Sequence, residues 1–224
     1  MADLHLYGGG KGGVGKSMVC RAACQHLLDR SIPFNLYESD RSNPDCMRIY
    51  GKTCNCKVAI FSEGEKYDDA ANKLYLSAIK QRTLVNLPAQ VQPALKRWLH
   101  ENDILSLAAE DNVRFIHWFV SNGSYDSLSL FQKYVVQFPT MKHLFIKNQG
   151  VAMDWSGFEE DEELLAFIAE RKIPVLDFPR FHGAATRNRI DADSLTFGKA
   201  RDRKLSFSSI DRRRVKTFME KASA

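Results

Sequence analysis

The sequence predicts an α/β fold, a mainly parallel twisted sheet with helices on both faces, from three observations. Short apolar runs alternate with longer stretches in which apolar residues recur at helical spacing, the order that builds strand-helix-strand units. A glycine-rich turn joins the first strand to the first helix. The length of 224 residues suits a single domain over 1–224 that buries a full core around a sheet.

The elements follow in order. Leu4 to Tyr7 is an apolar strand, and Ser17 to Arg30 is a helix with Met18, Val19, Ala22, Ala23, His26 and Leu27 on one face, ended by Ile32-Pro33. Phe34 to Tyr37 is a short strand that runs into the acidic, turn-rich stretch Glu38 to Pro44. Between Thr53 and Glu63, the alternating segment Lys57 to Phe61 reads equally as a strand or an irregular connection. Asp68 to Lys80 is an amphipathic helix, Thr83 to Val85 a core strand, and Pro93 to Leu107 a helical stretch. The strand Val113 to Val120, the helix Tyr125 to Phe138 and the buried strand His143 to Ile146 come next. Glu159 to Lys172 has acids at its start and bases at its end, as a helix dipole favours, and Ile173 to Leu176 is the last strand. Helices near Arg187 to Leu195 and from Ser209 to Lys221, joined by a basic, flexible link, close the chain.

Gly10-Lys11-Gly12-Gly13-Val14-Gly15-Lys16-Ser17 fits the spacing G-x-x-x-x-G-K-[ST]. Glycines there let backbone N–H groups curl around phosphate oxygens, the lysine reaches the β and γ phosphates, and the hydroxyl takes magnesium. The helix that follows directs its positive end at the same anion. Gly12, Gly13, Val14, Gly15, Lys16, Ser17 and Met18 are therefore the candidate nucleotide-binding set, with magnesium as the accompanying cation.

The extra lysine, Lys11 in K-G-G-V-G-K-S, resembles the deviant Walker A motif of the ParA/MinD family of P-loop ATPases, a SIMIBI-type fold. The resemblance implies a homodimer formed with ATP, in which Lys11 reaches the partner's nucleotide and stabilises charge in trans. It assigns the pair of acids two apart to Glu38 and Asp40, with glutamate in place of the usual aspartate. Asp40 then orients or activates the attacking water and, with Ser17, serves magnesium, directly or through water. It places adenine recognition at Asn148, with Pro179 and Arg180 on the other side of the base. Where the family carries a magnesium-coordinating aspartate within a D-x-P switch, this chain has Asn86-Leu87-Pro88. An amide accepts a hydrogen bond from metal-bound water but brings no negative charge. Restoring aspartate is expected to raise magnesium-dependent turnover unless Asp40 or Glu38 already supplies the anion. Asp40-Arg41-Ser42, Asn122 to Leu128 and Asp211 to Lys216 look like a ParA-like group associated with plasmid mobilisation or transfer.

Five cysteines, an odd number confined to the first quarter, do not look like a disulfide framework and suit a reduced cytoplasm. Cys20 and Cys24, one helical turn apart, read as core, and Cys54-Asn55-Cys56 lacks the spacing of a metal site. No secretory signal begins the sequence and no apolar run approaches a membrane span.

The net charge of +5 is uneven, because residues 199–224 carry nine bases against three acids, +6 in sum. Such a basic end is a footprint for a polyanion, so Arg212, Arg213, Arg214 and Lys216 are candidate contacts for non-specific DNA. The apolar stripe of the last helix, Val215, Phe218, Met219 and Ala222, has one bulky aromatic and reads as packing rather than as a membrane anchor.

These readings converge on an ATP-controlled dimer switch with slow, partner-stimulated hydrolysis, acting in partition, positioning or mobilisation of DNA or cargo. The alternatives are a synthetase or ligase on the same scaffold and a protein that binds ATP with little hydrolysis.

Overall fold

A computed structural model describes residues 2–62 and 71–224. Glu63, and 68–70 of the helix expected to begin at Asp68, lie outside the described residues.

Seven strands form one sheet: β1 (Ala2–Gly8), β2 (Asn35–Glu38), β3 (Lys57–Val58), β4 (Thr83–Asn86), β5 (Val113–Ser121), β6 (Lys142–Asn148) and β7 (Val175–Phe178). Their spatial order is β3-β2-β4-β1-β5-β6-β7, with every recorded pairing parallel. β1 is central, flanked by β4 and β5, so the chain leaves it first toward one edge and later toward the other. A crevice at the carboxyl ends of such strands is where open α/β sheets take ligands.

Alternate strand residues serve opposite faces, as the pleat requires. Leu4, Leu6, Val85, Phe115, Phe119 and Phe145 pack on one face against α3 (Asn72–Lys80), α4 (Gln92–Glu101), α5 (Ile104–Glu110), α6 (Tyr125–Gln137), α7 (Ser156–Glu159) and α8 (Glu162–Glu170). Tyr7, Leu84, Ile116, Val120, Leu144 and Ile146 pack on the other. That face is covered by α1 (Lys16–Asp29), α2 (Asp45–Cys54), α9 (Ala184–Ala192), α10 (Phe197–Ala200) and α11 (Ser209–Ala222).

Several boundaries differ from the sequence reading for local reasons. The helical stretch 93–107 is two helices, because Asp103 takes a left-handed conformation at φ 44° between α4 and α5. The helix expected from Glu159 starts properly at α8, where the Asp161 carboxylate caps the Leu164 N–H at 2.9 Å. β7 lies two residues later than expected, and the ambiguous segment at 57–61 supplies only the two-residue edge strand β3. α2 was hidden behind the turn signals of residues 38–44. The link before α11 contains α10, whose Phe197 is buried, as is Phe207 beyond it. Cys20 and Cys24 are fully buried core residues.

Candidate functional site

The glycine-rich turn leaves the end of β1 and enters α1 at Lys16. Gly13 and Gly15 sit at φ 81° and 94°, a conformation that side chains disfavour. At Gly15 space forbids one as well, since a Cβ would lie 2.1 Å from Asn148 Nδ2. That amide, from the end of β6, donates to the Val14 carbonyl at 2.8 Å, and its oxygen accepts from Gly150 N at 3.0 Å. Asn148 thus braces the loop from the neighbouring strand.

Lys16 is almost fully buried, and its Nζ donates to the Lys11 carbonyl at 3.3 Å. Burial lowers its pKa, and Asp40 works in the opposite direction. Asp40 follows β2, and its Oδ1 accepts from the N–H groups of Ser42 and Asn43 at 3.1 and 3.0 Å, so the carboxylate shapes its own loop. Lys16, Ser17, Met18, Asp40, Asn148 and Pro179 line one cleft of about 390 Å³, together with Gly12, Gly13 and Gly15. Val14 contributes backbone only, its side chain being buried.

Lys11 points elsewhere: its ammonium pairs with the Asp126 carboxylate in the first turn of α6. Arg180 turns toward a neighbouring cleft of about 350 Å³, shared with Arg213, Arg214 and Lys221. The structure therefore brings together the loop, Asp40, Asn148 and Pro179, and it sets Lys11 and Arg180 to the side.

Glu38 and Asn86 end adjacent strands and are register partners. Both are buried, and the Asn86 Nδ2 donates to Glu38 Oε1 at 2.9 Å and to Ser17 Oγ at 3.3 Å. Glu38 also accepts from Asp40 N at 2.9 Å and from Cys46 N at 3.0 Å. Burial pushes its pKa up to about 7 against the pull of these donors. Asn86 Oδ1 is buried with no partner among the described residues. The Ser17 hydroxyl, the Asn86 amide with its orphaned oxygen and the Glu38 carboxylate, linked through the amide nitrogen, together offer hard oxygens of the kind that suits magnesium. Among the described residues no cluster of three or more His, Cys, Asp or Glu could cage a metal by itself. Such an ion would share its shell with phosphate and water, as magnesium commonly does.

Arg21 and Arg187 of the cleft, and Arg48 beside it, escaped the sequence reading. Arg21, one helical turn past Ser17, is buried and pairs with Asp191 of α9 at 2.8 Å, and Arg187 lines the same end. Arg48 of α2 donates to the Asp191 carbonyl at 2.5 Å and pairs with Asp45 at 2.6 Å, tying the loop after β2 to α9. The i+4 spacing of Arg21 from Ser17 was visible in the sequence, whereas its partner 170 residues away was not.

In α11, the stripe Val215, Phe218 and Met219 is buried, with the Phe218 ring 4.9 Å from that of Phe181. No helix among the described residues is long and apolar enough to cross a membrane. Arg212 donates to the Phe207 carbonyl, Arg214 pairs with Asp211 at 3.2 Å, and Lys216 lies 3.7 Å from Glu220. Among the described residues Arg213 has no hydrogen bond or ion pair.

Compared with solved structures, the chain superposes on MinD from Pyrococcus horikoshii OT3 complexed with Mg-ADP, with a TM-score of 0.54, 15% identity and coverage of 99% and 94% of the two chains. MinD from Aquifex aeolicus gives 0.53 at 13% identity, covering 98% of each. The fold is that of the MinD and ParA-type ATPases. A plasmid partition protein of Borrelia burgdorferi B31 bound to AMPPNP gives 0.50 at 12% identity, covering 98% and 97%. In sequence the chain is similar to protein MobD of Acidithiobacillus ferrooxidans, 28% identical over 146 residues, which are 65% of this chain. The match spans 63% of the length of MobD. No family model matches.

Proposed function

We propose that this chain is an ATPase switch of ParA/MinD type that binds ATP with magnesium and pairs with a second copy when ATP is bound. Hydrolysis is slow and stimulated by a partner protein, and the output is partition, positioning or mobilisation of plasmid DNA or another cargo. The observation that carries this reading is the convergence of Lys16, Ser17 and Asp40 on one cleft at the carboxyl end of the central strand. A buried lysine and backbone N–H groups at a helix N-terminus favour a polyphosphate there. Magnesium would be held by Ser17 and, through water, by Asn86 and the carboxylates beside it. When bound, it offsets charge on the phosphates. Asn148 and Pro179, which line the same cleft, are the proposed base contacts.

The relatives support the biological part of the reading. The chain similar in sequence is protein MobD, and one solved structure of the same fold is described as a plasmid partition protein.

Binding of fluorescent ATP in EDTA and in magnesium, followed by phosphate release with and without duplex DNA, tests the proposal. Nucleotide binding with slow turnover is expected, and no binding in either condition overturns it. A protein that binds ATP with little hydrolysis is a second reading, favoured by the uncharged Asn86 at the end of β4. Binding without measurable phosphate release selects it.

A further inference from the structure

The end of β4 lacks a carboxylate, yet the strand pair β2–β4 does not lack one. Glu38 is the register partner of Asn86, and it is a glutamate, one methylene longer than an aspartate at the same place. That length carries its carboxylate across the strand pair to within 2.9 Å of the Asn86 amide, which in turn stands 3.3 Å from Ser17 Oγ. A carboxylate oxygen only accepts, so the amide must present Nδ2 to it and turn Oδ1 away. Oδ1 then stands buried and unpartnered, which is costly unless something electropositive arrives.

We propose that Glu38, held across the sheet by the Asn86 amide, supplies the negative charge toward the divalent cation at Ser17 that Asn86 lacks. This rests on the nucleotide-binding reading above. It makes Asn86 a positioning residue and fixes the charge of the strand pair at a single carboxylate. It also reverses the sequence-based expectation for Asn86→Asp. A second carboxylate there would face Glu38 at hydrogen-bond distance, and two such groups hold one shared proton rather than two charges. Asparagine is therefore the residue that fits beside Glu38, and the two positions behave as one exchangeable unit.

The test titrates MgCl2 into each variant with a fluorescent ATP analogue at fixed concentration, with a parallel titration in EDTA. Glu38→Gln is expected to raise the magnesium concentration for half-maximal effect at least tenfold, with nucleotide affinity in EDTA unchanged within threefold. Asn86→Asp is expected to bring no gain in magnesium affinity. The exchanged pair, Glu38→Gln with Asn86→Asp, is expected to return to within threefold of the parent, because it moves one carboxylate from β2 to β4. A Glu38→Gln response within threefold of the parent, or a tenfold gain from Asn86→Asp alone, overturns the proposal. Should Glu38→Gln alone fail to fold, Asn86→Asp and the exchanged pair still decide it. If the parent binds no nucleotide even in EDTA, the reading beneath it has failed instead.

Discussion

Lys11 is paired with Asp126 of its own chain, at the first turn of α6, although its motif resembles one in which that lysine serves a partner. Both side chains are largely exposed, and exposed pairs hold weakly. The contact is therefore a resting place that can be given up, and a lysine that crosses to a second protomer must first leave it. Asp126→Ala is expected to favour the proposed ATP-dependent dimer by no more than about fivefold, measured by light scattering across a concentration series. A weaker dimer would mean that Asp126 itself belongs to the contact between protomers.

Lys16→Ala is expected to abolish nucleotide binding. Among the described residues Lys16 is the one lysine lining the cleft, and the other buried cation there, Arg21, is already paired with Asp191, so the phosphates would lose the cation the loop aims at them. Titration with fluorescent ATP checks this, and an unchanged affinity would remove the P-loop assignment.

Asp40→Ala is expected to leave nucleotide affinity within about threefold while stopping turnover, and to accumulate an ATP-bound dimer on size exclusion. Binding is expected to be spared because the groups proposed to hold phosphate belong to the glycine-rich loop and α1, whereas Asp40 follows β2. The variant also loses the turn held by Asp40 Oδ1 on Ser42 and Asn43. Asp40→Asn, whose oxygen can keep that turn, separates loop shape from chemistry. Full turnover in Asp40→Asn would end the role assigned to this carboxylate.

How much of this was legible depended on whether a signal was local. The strand-turn-helix around Lys16 was readable because each of its requirements lies within a few residues. α2 was not read, although Pro44 before Asp45 and the spacing of Cys46, Ile49 and Tyr50 are helix signals. The turn residues just upstream outweighed them. The break at Asp103 was not read because its positive φ falls on an aspartate rather than on a glycine, the residue that usually marks such a conformation. Asn86 was recognised as a departure from the motif, but its meaning required the register that sets Glu38 beside it. Distances across 48 residues are fixed by the sheet and by nothing in the local pattern.

Acid is expected to destabilise the fold through its buried imidazoles. His143 Nε2 faces the Phe138 carbonyl at 2.9 Å and so carries the proton, leaving its Nδ1 to accept from His117 Nδ1 at 3.3 Å. His117 Nε2 is then an unprotonated, buried nitrogen without a partner among the described residues. Burial holds both pKa values below the ordinary range and lowers that of His5 to about 4. Each group therefore binds more protons unfolded than folded once the pH drops below about 6.5. Its neutral state stabilises the fold above that pH, and the contribution fades as pH falls toward the folded pKa, by up to about 1.4 kcal/mol per pH unit per group. Urea melts from pH 7.5 to 5 measure the slope. His117→Phe, which keeps a ring against Tyr134 at 4.9 Å, is expected to flatten it, and an unchanged slope would assign the acid sensitivity elsewhere.

The final prediction concerns the basic end of the chain, where the proposed DNA contacts are unequal. Arg212 is committed to the Phe207 carbonyl and Arg214 to Asp211 and Thr186, so replacing either disturbs the seating of α11 as well as its charge. Arg213 carries no such commitment among the described residues, and it shares a cleft with Arg180 and Lys221. Phosphate binding releases counterions in proportion to the cations engaged, and the logarithm of affinity falls linearly with that of salt. Arg213→Ala with Lys221→Ala is therefore expected to weaken binding of random duplex DNA across all sequences. It should also make the salt slope shallower by about two per protomer engaged. Arg212→Ala should instead lower the melting temperature, since it removes a bond that anchors the approach to α11. Filter binding at several salt concentrations, with ATP and with ADP, measures the first effect. Because a dimer doubles the contacts offered by one protomer, retention should be stronger with ATP. If neither nucleotide gives retention at low salt, the basic end only solvates the last helix, and the buried stripe of Val215, Phe218 and Met219 is its whole function.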